Sequence, residues 1–375
     1  MKLECTQDNL DKALSHISRA VSTRTTLPIT QNVLLKAVDG KLQLSATNLE
    51  MALNTWIGAN ITEEGETTIP ARLLTDLIRT FPNQNINLES DNASNTINIQ
   101  CGPFDSNLIT QPSEDFPPIP QLENMEPQFE INADVLLKLI NSVIFSAAQD
   151  QSRPVLTGIK FSIENNTLTL ASADGFRLSI INYKFENNVN DLDFIVPSKS
   201  LAELARILPI AENTVKIFIT PAANQVIFMM DSYQLTTTLT QGSFPDFNSL
   251  IPDNTTTQCE IPKSEFKNAV RSLGVLAKDG NGIIKLEIDE QSTSNLLMSA
   301  KTDELGENSV TLSVTTTGNS SKIAFNSKYL SDVLDVINSD NVILEINGDS
   351  NPGLIKPSED NSYTHIVMPM FVQNW

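Results

Sequence analysis

The chain has 375 residues and a formal net charge of −20, with 45 Asp and Glu against 25 Lys and Arg. An apolar content of 40% is enough for hydrophobic cores and excludes global disorder, while the length predicts two or three domains. The acidic balance argues against a protein that coats nucleic acid over its whole surface.

The N-terminal segment "MKLECTQD" lacks the basic region and apolar run of a secretory signal. No stretch of the chain reaches the roughly 18 consecutive apolar residues that a membrane helix needs. Cys5, Cys101 and Cys259 lie far apart and form no CxxC pair. This spacing predicts reduced thiols in a cytoplasmic protein that has no membrane partner.

The residues that enzymes use most often are scarce or scattered. The two histidines, His16 and His365, lie near opposite ends of the chain, and there is no phosphate-binding GxxxxGK[ST] loop. We therefore expect no catalytic residues, no metal site and no cofactor.

A short strand followed by an amphipathic helix is predicted six times. The segments, in chain order, begin "LECTQDNLDKAL" at Leu3, "IPARLLTDLIRTFP" at Ile69, "FEINADVLLKLI" at Phe129, "VPSKSLAELARILP" at Val196, "CEIPKSEFKNAV" at Cys259 and "FNSKYLSDVLDVI" at Phe325. In the first segment, Leu10, Leu14 and Ile17 have the spacing of one helical face. The predicted helix windows are 7–22, 71–80, 133–146, 198–207, 263–277 and 327–337.

Equivalent positions in these segments recur every 62 to 65 residues. The chain is therefore interpreted as six units of about 64 residues, paired into three domains at 1–126, 127–254 and 255–375. Alternating strands such as "KLQLSAT" (41–47) follow the helices, and turn pairs such as Asp39-Gly40 separate them. The predicted fold class is α+β, with helices on one face of antiparallel sheets.

The basic residues concentrate on the predicted helices. The six windows hold eleven Lys and Arg against eight Asp and Glu, although acidic residues predominate in the whole chain. The pairs Arg72/Arg79 and Lys199/Arg206 are seven residues apart, so each pair lies near one helix face. Such stripes are either ordinary solvated faces or a surface for the phosphate backbone, and their recurrence favours the second interpretation. Aromatic residues make up only 6% of the chain, which predicts contact without base reading.

Several longer motifs resemble one known family along essentially the whole chain. They are "TLPIT" (26–30), "SATNLEMAL" (45–53), "TIPARLLTDLIR" (68–79), "SRPVLTGIKF" (152–161), "ADGFRL" (173–178), "FPDFNSLIP" (244–252) and "IVMPM" (366–370). The chain is similar to the bacterial sliding clamps, the beta subunit of DNA polymerase III. The resemblance implies a three-domain clamp fold and a head-to-tail homodimer that closes around duplex DNA and confers processivity on the polymerase.

The same resemblance implies a hydrophobic pocket for short motifs, roughly Gln-Leu-x-Leu-Phe. The partners would be the polymerase III alpha subunit, the clamp loader, other polymerases and repair proteins. The matching positions are Leu156, Gly175, Phe176, Arg177, Leu178, Pro245, Leu250, Ile366, Val367, Met368, Pro369 and Met370. Phe176 stands where many relatives have His or Tyr, and the tail continues past Met370 to Trp375.

Candidate DNA contacts combine the helix stripes with positions matched by resemblance. They are Arg24, Arg72, Arg79, Gln149, Arg153, Lys199 and Arg206. Leu108, Leu273 and Leu276 are the candidate residues of the contact between two copies. The alternative is a repeat protein that acts only as an interaction scaffold, whose binding would not depend on DNA topology.

Overall fold

The computed structural model describes residues 1–22, 26–91, 93–120, 122, 125–211, 213–252, 255–279, 281–288, 294–302 and 304–372. The chain forms two compact units. Unit one is Met1–Leu137 with Lys199–Leu239, and unit two is Lys138–Ser198 with Thr240–Trp375.

Six α-helices lie within the described residues, each at a predicted position. They are α1 (Gln7–Ile17), α2 (Ala71–Thr80), α3 (Ala133–Val143), α4 (Ser198–Ile207), α5 (Lys263–Ala277) and α6 (Ser327–Val336). The helices α1 and α3 end earlier than predicted, and each tightens into a 3₁₀ turn, at 18–20 and 144–146. Such turns are common at helix ends. The predicted core face of α1 is confirmed, since Leu10, Leu14 and Ile17 are fully buried.

The strands account for most of the remaining regular structure. In chain order they are β1 (Lys2–Thr6), β2 (Asn32–Val38), β3 (Lys41–Thr47), β4 (Met51–Gly58), β5 (Asn60–Glu63), β6 (Gly65–Pro70), β7 (Asn85–Asp91), β8 (Thr96–Cys101), β9 (Phe104–Ile109), β10 (Phe129–Asn132), β11 (Gly158–Glu164), β12 (Thr167–Ala173), β13 (Arg177–Lys184), β14 (Leu192–Pro197), β15 (Thr214–Ile219), β16 (Gln225–Met229), β17 (Tyr233–Thr238), β18 (Thr257–Pro262), β19 (Ile283–Ile288), β20 (Asn295–Thr302), β21 (Gly306–Ser313), β22 (Thr315–Gly318), β23 (Ser321–Asn326), β24 (Asn341–Ile346), β25 (Gly353–Pro357) and β26 (Tyr363–Val367).

Each helix follows directly on a strand, as the repeat predicts. Pro70 and Pro262 occupy the position before α2 and α5, where a missing backbone N–H costs nothing. Before α6, the Asn326 side-chain oxygen accepts a 2.9 Å hydrogen bond from the Lys328 N–H and so caps the helix. Asn132 caps α3 in the same way, through the Asp134 N–H at 2.9 Å.

Unit one contains two antiparallel sheets. Their strand orders are β5-β1-β7-β8-β9 and β10-β15-β16-β17-β4-β3-β2-β6. In the second sheet, β17 pairs with β4 in a register that sets Leu235 opposite Leu53. The sheet is therefore continuous across two of the predicted domains, and α1 packs on its strands β3 and β4 and against α2.

Unit two repeats this arrangement. Its sheets have the orders β14-β11-β12-β13-β26-β25-β24-β18-β22 and β21-β20-β19-β23. The pairing of β13 with β26 sets Leu178 opposite Ile366, and α5 packs against α6 and β20. The predicted α+β class with antiparallel sheets is confirmed. The domain limits 1–126, 127–254 and 255–375 stay a prediction, because segment 127–254 contributes to both units.

Gly318, the last residue of β22, lies where the backbone comes very close to the start of β18. Its φ is +100°, and a Cβ at this position would collide with the carbonyl oxygen of Thr256. Gly40 has a φ of +71° but no described atom within 4 Å of the place that an added Cβ would take. A substitution at Gly40 would therefore add backbone strain without a collision.

We expect Gly40→Ala to lower the free energy of unfolding by about 1–2 kcal/mol and Gly318→Ala by about 3 kcal/mol or more, measured by urea denaturation. Equal denaturation midpoints for the two variants would contradict the close approach.

Candidate functional site

An apolar cluster lies on one face of the nine-stranded sheet of unit two. Antiparallel register places its five buried members side by side on neighbouring strands, namely Ala171, Leu178, Ile180, Leu354 and Ile366. Ala173, Phe244, Phe247 and Ile251 pack on this cluster and stay partly exposed. Because successive side chains of a strand alternate between faces, the cluster needs only every second residue of each strand.

Three apolar residues that lie within two positions of these residues in the chain are more exposed. Phe176 is 56% exposed, Leu250 is 45% exposed and Met368 is 38% exposed. The cluster, the residues packed on it and these three side chains are here named the apolar patch. Phe244 and Phe247 contribute an edge-to-face pair with ring centroids 6.2 Å apart. The sequence reasoning did not assign these two aromatics, although both lie in the "FPDFNSLIP" motif.

The turn between β12 and β13 holds Phe176 outward. One carboxylate oxygen of Asp174 accepts hydrogen bonds from the backbone N–H groups of Phe176 (2.9 Å) and Arg177 (3.0 Å). Gly175 has a φ of +93°, which glycine adopts without steric cost. Asp174 therefore shapes this turn.

The C-terminal tail is tied to the rest of unit two by its backbone. The Met368 N–H donates to the Phe176 carbonyl at 2.8 Å, and the Met370 N–H donates to the Ala324 carbonyl at 2.7 Å. Pro369 and Met370 are half-buried, whereas Phe371 is 85% exposed. Trp375 lies outside the described residues. An apolar tail on this acidic chain thus completes the border of the apolar patch.

The structure does not bring Arg177 and Val367 to the patch, so their prediction as pocket residues needs correction. The two residues pair with each other in the sheet, one register position away from Leu178 and Ile366. Strand alternation therefore directs both side chains to the opposite face. Val367 is completely buried, and Arg177 is 8% exposed.

Three further predicted residues differ in burial and position. Leu156 is buried just before β11, and Pro245 is exposed between Phe244 and Phe247. The guanidinium of Arg153, predicted as a DNA contact, lies beside Gly175, where an added Cβ would be 2.9 Å from its Nη1. Arg153 thus neighbours the apolar patch, whereas Gln149 is exposed on the preceding loop.

The helix cations of unit one are exposed, and most have an acidic neighbour. The nitrogen–oxygen distances are 3.8 Å for Arg72–Asp76 and 3.4 Å for Arg79–Asp11, and Arg206 pairs with Glu203. Lys199 is exposed at the start of α4. Arg24 lies outside the described residues. Exposed pairs of this kind are weak and screened by salt, so the cations remain available to another anion.

Strand β9 and helix α5 expose apolar side chains next to the residues predicted for the contact between copies. Leu273 is fully buried in the row of α5 that faces the core, so its prediction as a surface contact is wrong. Leu108 and Leu276 are half-buried. The neighbouring Ile109 and Val275 are 79% and 71% exposed, and β9 and β21 each lie at a sheet edge.

The three cysteines form no disulfide, and the structure shows in addition that all three are buried. Burial raises the pKa of the Cys5 thiol to about 12 and that of Cys259 to about 11, so both stay protonated at neutral pH. Across the described part of the chain, no group of three or more His, Cys, Asp and Glu side chains is placed to hold a metal ion. No helix in the same residues is long and apolar enough to cross a membrane.

Comparison with known proteins gives three family matches in chain order. They are the DNA polymerase III beta subunit N-terminal domain (residues 1–120), central domain (130–246) and C-terminal domain (248–371). The beta sliding clamp of Staphylococcus aureus is 29% identical over 383 residues, and that of Synechococcus elongatus is 28% identical over 377 residues. Each alignment covers 99% of this chain and 99% of the relative.

Solved structures agree with this result. The DNA polymerase sliding clamp of Bacillus subtilis superposes with a TM-score of 0.94 at 25% identity, over 99% of both chains. The Pseudomonas aeruginosa clamp bound to griselimycin gives 0.91 at 26% identity, over 99% of this chain and 100% of that one. The repeated helices on antiparallel sheets are thus a three-domain DNA-clamp fold. The chain belongs to the DNA polymerase III beta subunit family, the beta sliding clamps.

His365 gives the folded state a dependence on pH. It is fully buried next to the strand residue Ile366, and its Nδ1 lies 2.8 Å from the Ser179 hydroxyl. Burial first, and the charge of Arg177 second, lower its pKa from 6.5 to about 3. The imidazole is thus neutral in the folded state, whereas the unfolded chain binds a proton below about pH 6.5. Stability is complete above that pH and falls as the pH falls toward 3.

Between pH 7 and pH 5, we expect His365 to cost the wild type about 2 kcal/mol of unfolding free energy. His365→Gln should remove this part of the pH dependence in denaturant titrations. His16→Gln is the matched control, because His16 is only half-buried and bonds Tyr233 through Nδ1 at 2.8 Å. A pH profile that His365→Gln leaves unchanged would contradict the assignment.

Proposed function

We propose that this chain is a non-catalytic sliding clamp, a head-to-tail homodimer that closes around duplex DNA without reading its sequence. The observation that carries the proposal is the order of three DNA polymerase III beta subunit domains along nearly the whole chain. In this function the ring confers processivity by keeping the polymerase at a high local concentration near the primer end. The clamp loader places the ring on DNA.

The helix charges support contact with DNA that is weak and sensitive to salt. Cations recur on equivalent helices of a chain whose net charge is −20. Phosphates would compete with acids such as Asp76 and Asp11 for the same guanidinium groups. Contact of this strength suits a protein that is retained by enclosure rather than by affinity.

The apolar patch supports docking of partner proteins through short apolar motifs. Phe176, Leu250 and Met368 are exposed above a buried apolar floor, and Met side chains adapt to different ligands. The Pseudomonas aeruginosa clamp was solved with griselimycin bound, so a relative of similar fold accepts a ligand. The proposed partners are the polymerase III alpha subunit, the clamp loader, other polymerases and repair proteins.

Leu250→Ala tests the patch with a fluorescent peptide that carries the Gln-Leu-x-Leu-Phe motif. Loss of a leucine side chain that the bound peptide would cover should weaken binding by about 1.5 kcal/mol, roughly tenfold in Kd. Leu297→Ala is the matched control, because Leu297 is similarly exposed (40% against 45%) but lies on β20. An equal Kd for wild type and Leu250→Ala in fluorescence anisotropy would remove Leu250 from the site.

Retention on DNA tests enclosure directly. After loading by the clamp loader onto a nicked circle, the protein should remain bound through gel filtration and be lost when the circle is linearised. Enclosure predicts this loss because a ring slides off a free end. Equal retention on circular and linear DNA would contradict enclosure and would favour ordinary binding or the scaffold alternative.

A charge reversal on a helix should shorten retention on the circle. Lys199→Glu places an acid on α4, whereas Lys184→Glu makes the same charge change at the end of strand β13, also at an exposed position. We expect a shorter lifetime for the first variant only, with the difference decreasing as salt is added.

A further inference from the structure

Arg177 is the only buried arginine in the part of the chain that the structure describes. Its Nε lies 3.0 Å from an Asp174 carboxylate oxygen and its Nη1 lies 2.6 Å from an Asp332 carboxylate oxygen. Its Nη2 donates to the Phe145 carbonyl at 2.6 Å. The guanidinium also lies over the Tyr329 ring, 4.5 Å from its centroid. Two of these partners, Tyr329 and Asp332, belong to α6.

The turn between β3 and β4 has the same hydrogen bonds as the Asp174 turn but has no arginine. Between β3 and β4, the Asn48 side-chain oxygen accepts hydrogen bonds from the N–H groups of Glu50 (3.0 Å) and Met51 (2.9 Å), as Asp174 does in its turn. The Glu50 carbonyl accepts from the Thr238 N–H at 3.0 Å, as the Phe176 carbonyl does from Met368. Met51 stands where the other turn has Arg177. The turn and its strand contact therefore form without a cation.

What Arg177 adds is a connection between the turn and α6. One oxygen of Asp174 binds the guanidinium, while its other oxygen holds the N–H groups of the turn. The same guanidinium holds Asp332 of α6. A buried arginine that loses one carboxylate partner keeps its desolvation cost with less compensation, so loss of Asp332 would leave Asp174 as its one carboxylate partner and would disturb the turn.

We propose that Arg177 is a positioning residue that makes the affinity of the apolar patch depend on α6. Its ion pair with Asp332 fixes the Asp174 turn, and the turn sets the position of Phe176 and, through the Phe176 carbonyl, of Met368. This inference rests on the proposed docking function of the patch. By thermodynamic linkage, a ligand on the patch must stabilise α6 in return.

The test compares two acids on the same helix. Asp332→Ala removes the partner of Arg177, whereas Asp335→Ala removes a carboxylate that pairs with Lys267, also at 2.6 Å. With the fluorescent Gln-Leu-x-Leu-Phe peptide, we expect Kd to rise about tenfold for Asp332→Ala and less than about twofold for Asp335→Ala. Equal Kd values for wild type and Asp332→Ala would overturn the inference.

A double-mutant cycle separates positioning from general loosening of the fold. In a Phe176→Ala background, the effect of Asp332→Ala on Kd should be clearly smaller than tenfold, because only the route through the backbone carbonyl of residue 176 to Met368 remains. A tenfold loss that persists in this background would overturn the role of Phe176. Failure of the wild type to bind the peptide at all would instead contradict the proposed function.

Hydrogen exchange of the wild type gives a test that needs no variant. Saturating peptide should slow amide exchange several-fold in α6 (327–336) and leave α2 (71–80) unchanged. Unaltered exchange in α6 would overturn the linkage, even if the peptide binds.

Discussion

The pairing of β13 with β26 is the constraint on which the rest of the site depends. In this register Leu178 and Ile366 lie opposite each other on one face, while Arg177 and Val367 lie opposite each other on the other. A shift by one residue would exchange the two faces and bury the apolar patch where the guanidinium now lies. The same pairing joins segments that are far apart in the chain, so the site cannot form before the C-terminal tail has joined the sheet.

The two turns at β4 and β13 illustrate how a repeated fold acquires a specialised site. Both use a side-chain oxygen to organise the turn and both offer a carbonyl to a neighbouring strand. They differ in the residue that follows, Met51 in one and Arg177 in the other. The apolar residue is accommodated by packing, whereas the arginine requires carboxylate and carbonyl partners. One of those partners, Asp332, lies on α6, so the arginine links the turn to that helix.

Local patterns in the sequence were sufficient for the helices and for the fold class. The spacing of Leu10, Leu14 and Ile17 identified the buried face of α1, and the strand–helix repeat located the six helices of the described residues. The faces of Arg177 and Val367 were missed because they depend on a register between distant strands. Leu273 was misplaced for a different reason: its own helix already shows the spacing of a core row, Phe266, Val270, Leu273 and Ala277. The resemblance named Leu250 and Met368, whereas the packing of Phe244 and Phe247 became visible only in three dimensions.

The paired helix cations have a consequence for motion. In the proposed ring, a phosphate that bound Arg72 or Arg79 would replace an existing partner, Asp76 or Asp11, rather than meet an unpaired cation. Each exchange would gain less free energy than contact with an unpaired cation, because an existing ion pair is lost. In the proposed ring, the energy surface along the duplex would therefore be shallow, and friction between protein and DNA would be low. The neighbouring carboxylates would then compete with the phosphates for each cation. The helix surface would still attract DNA, but each individual contact between a cation and a phosphate would be weak and short-lived.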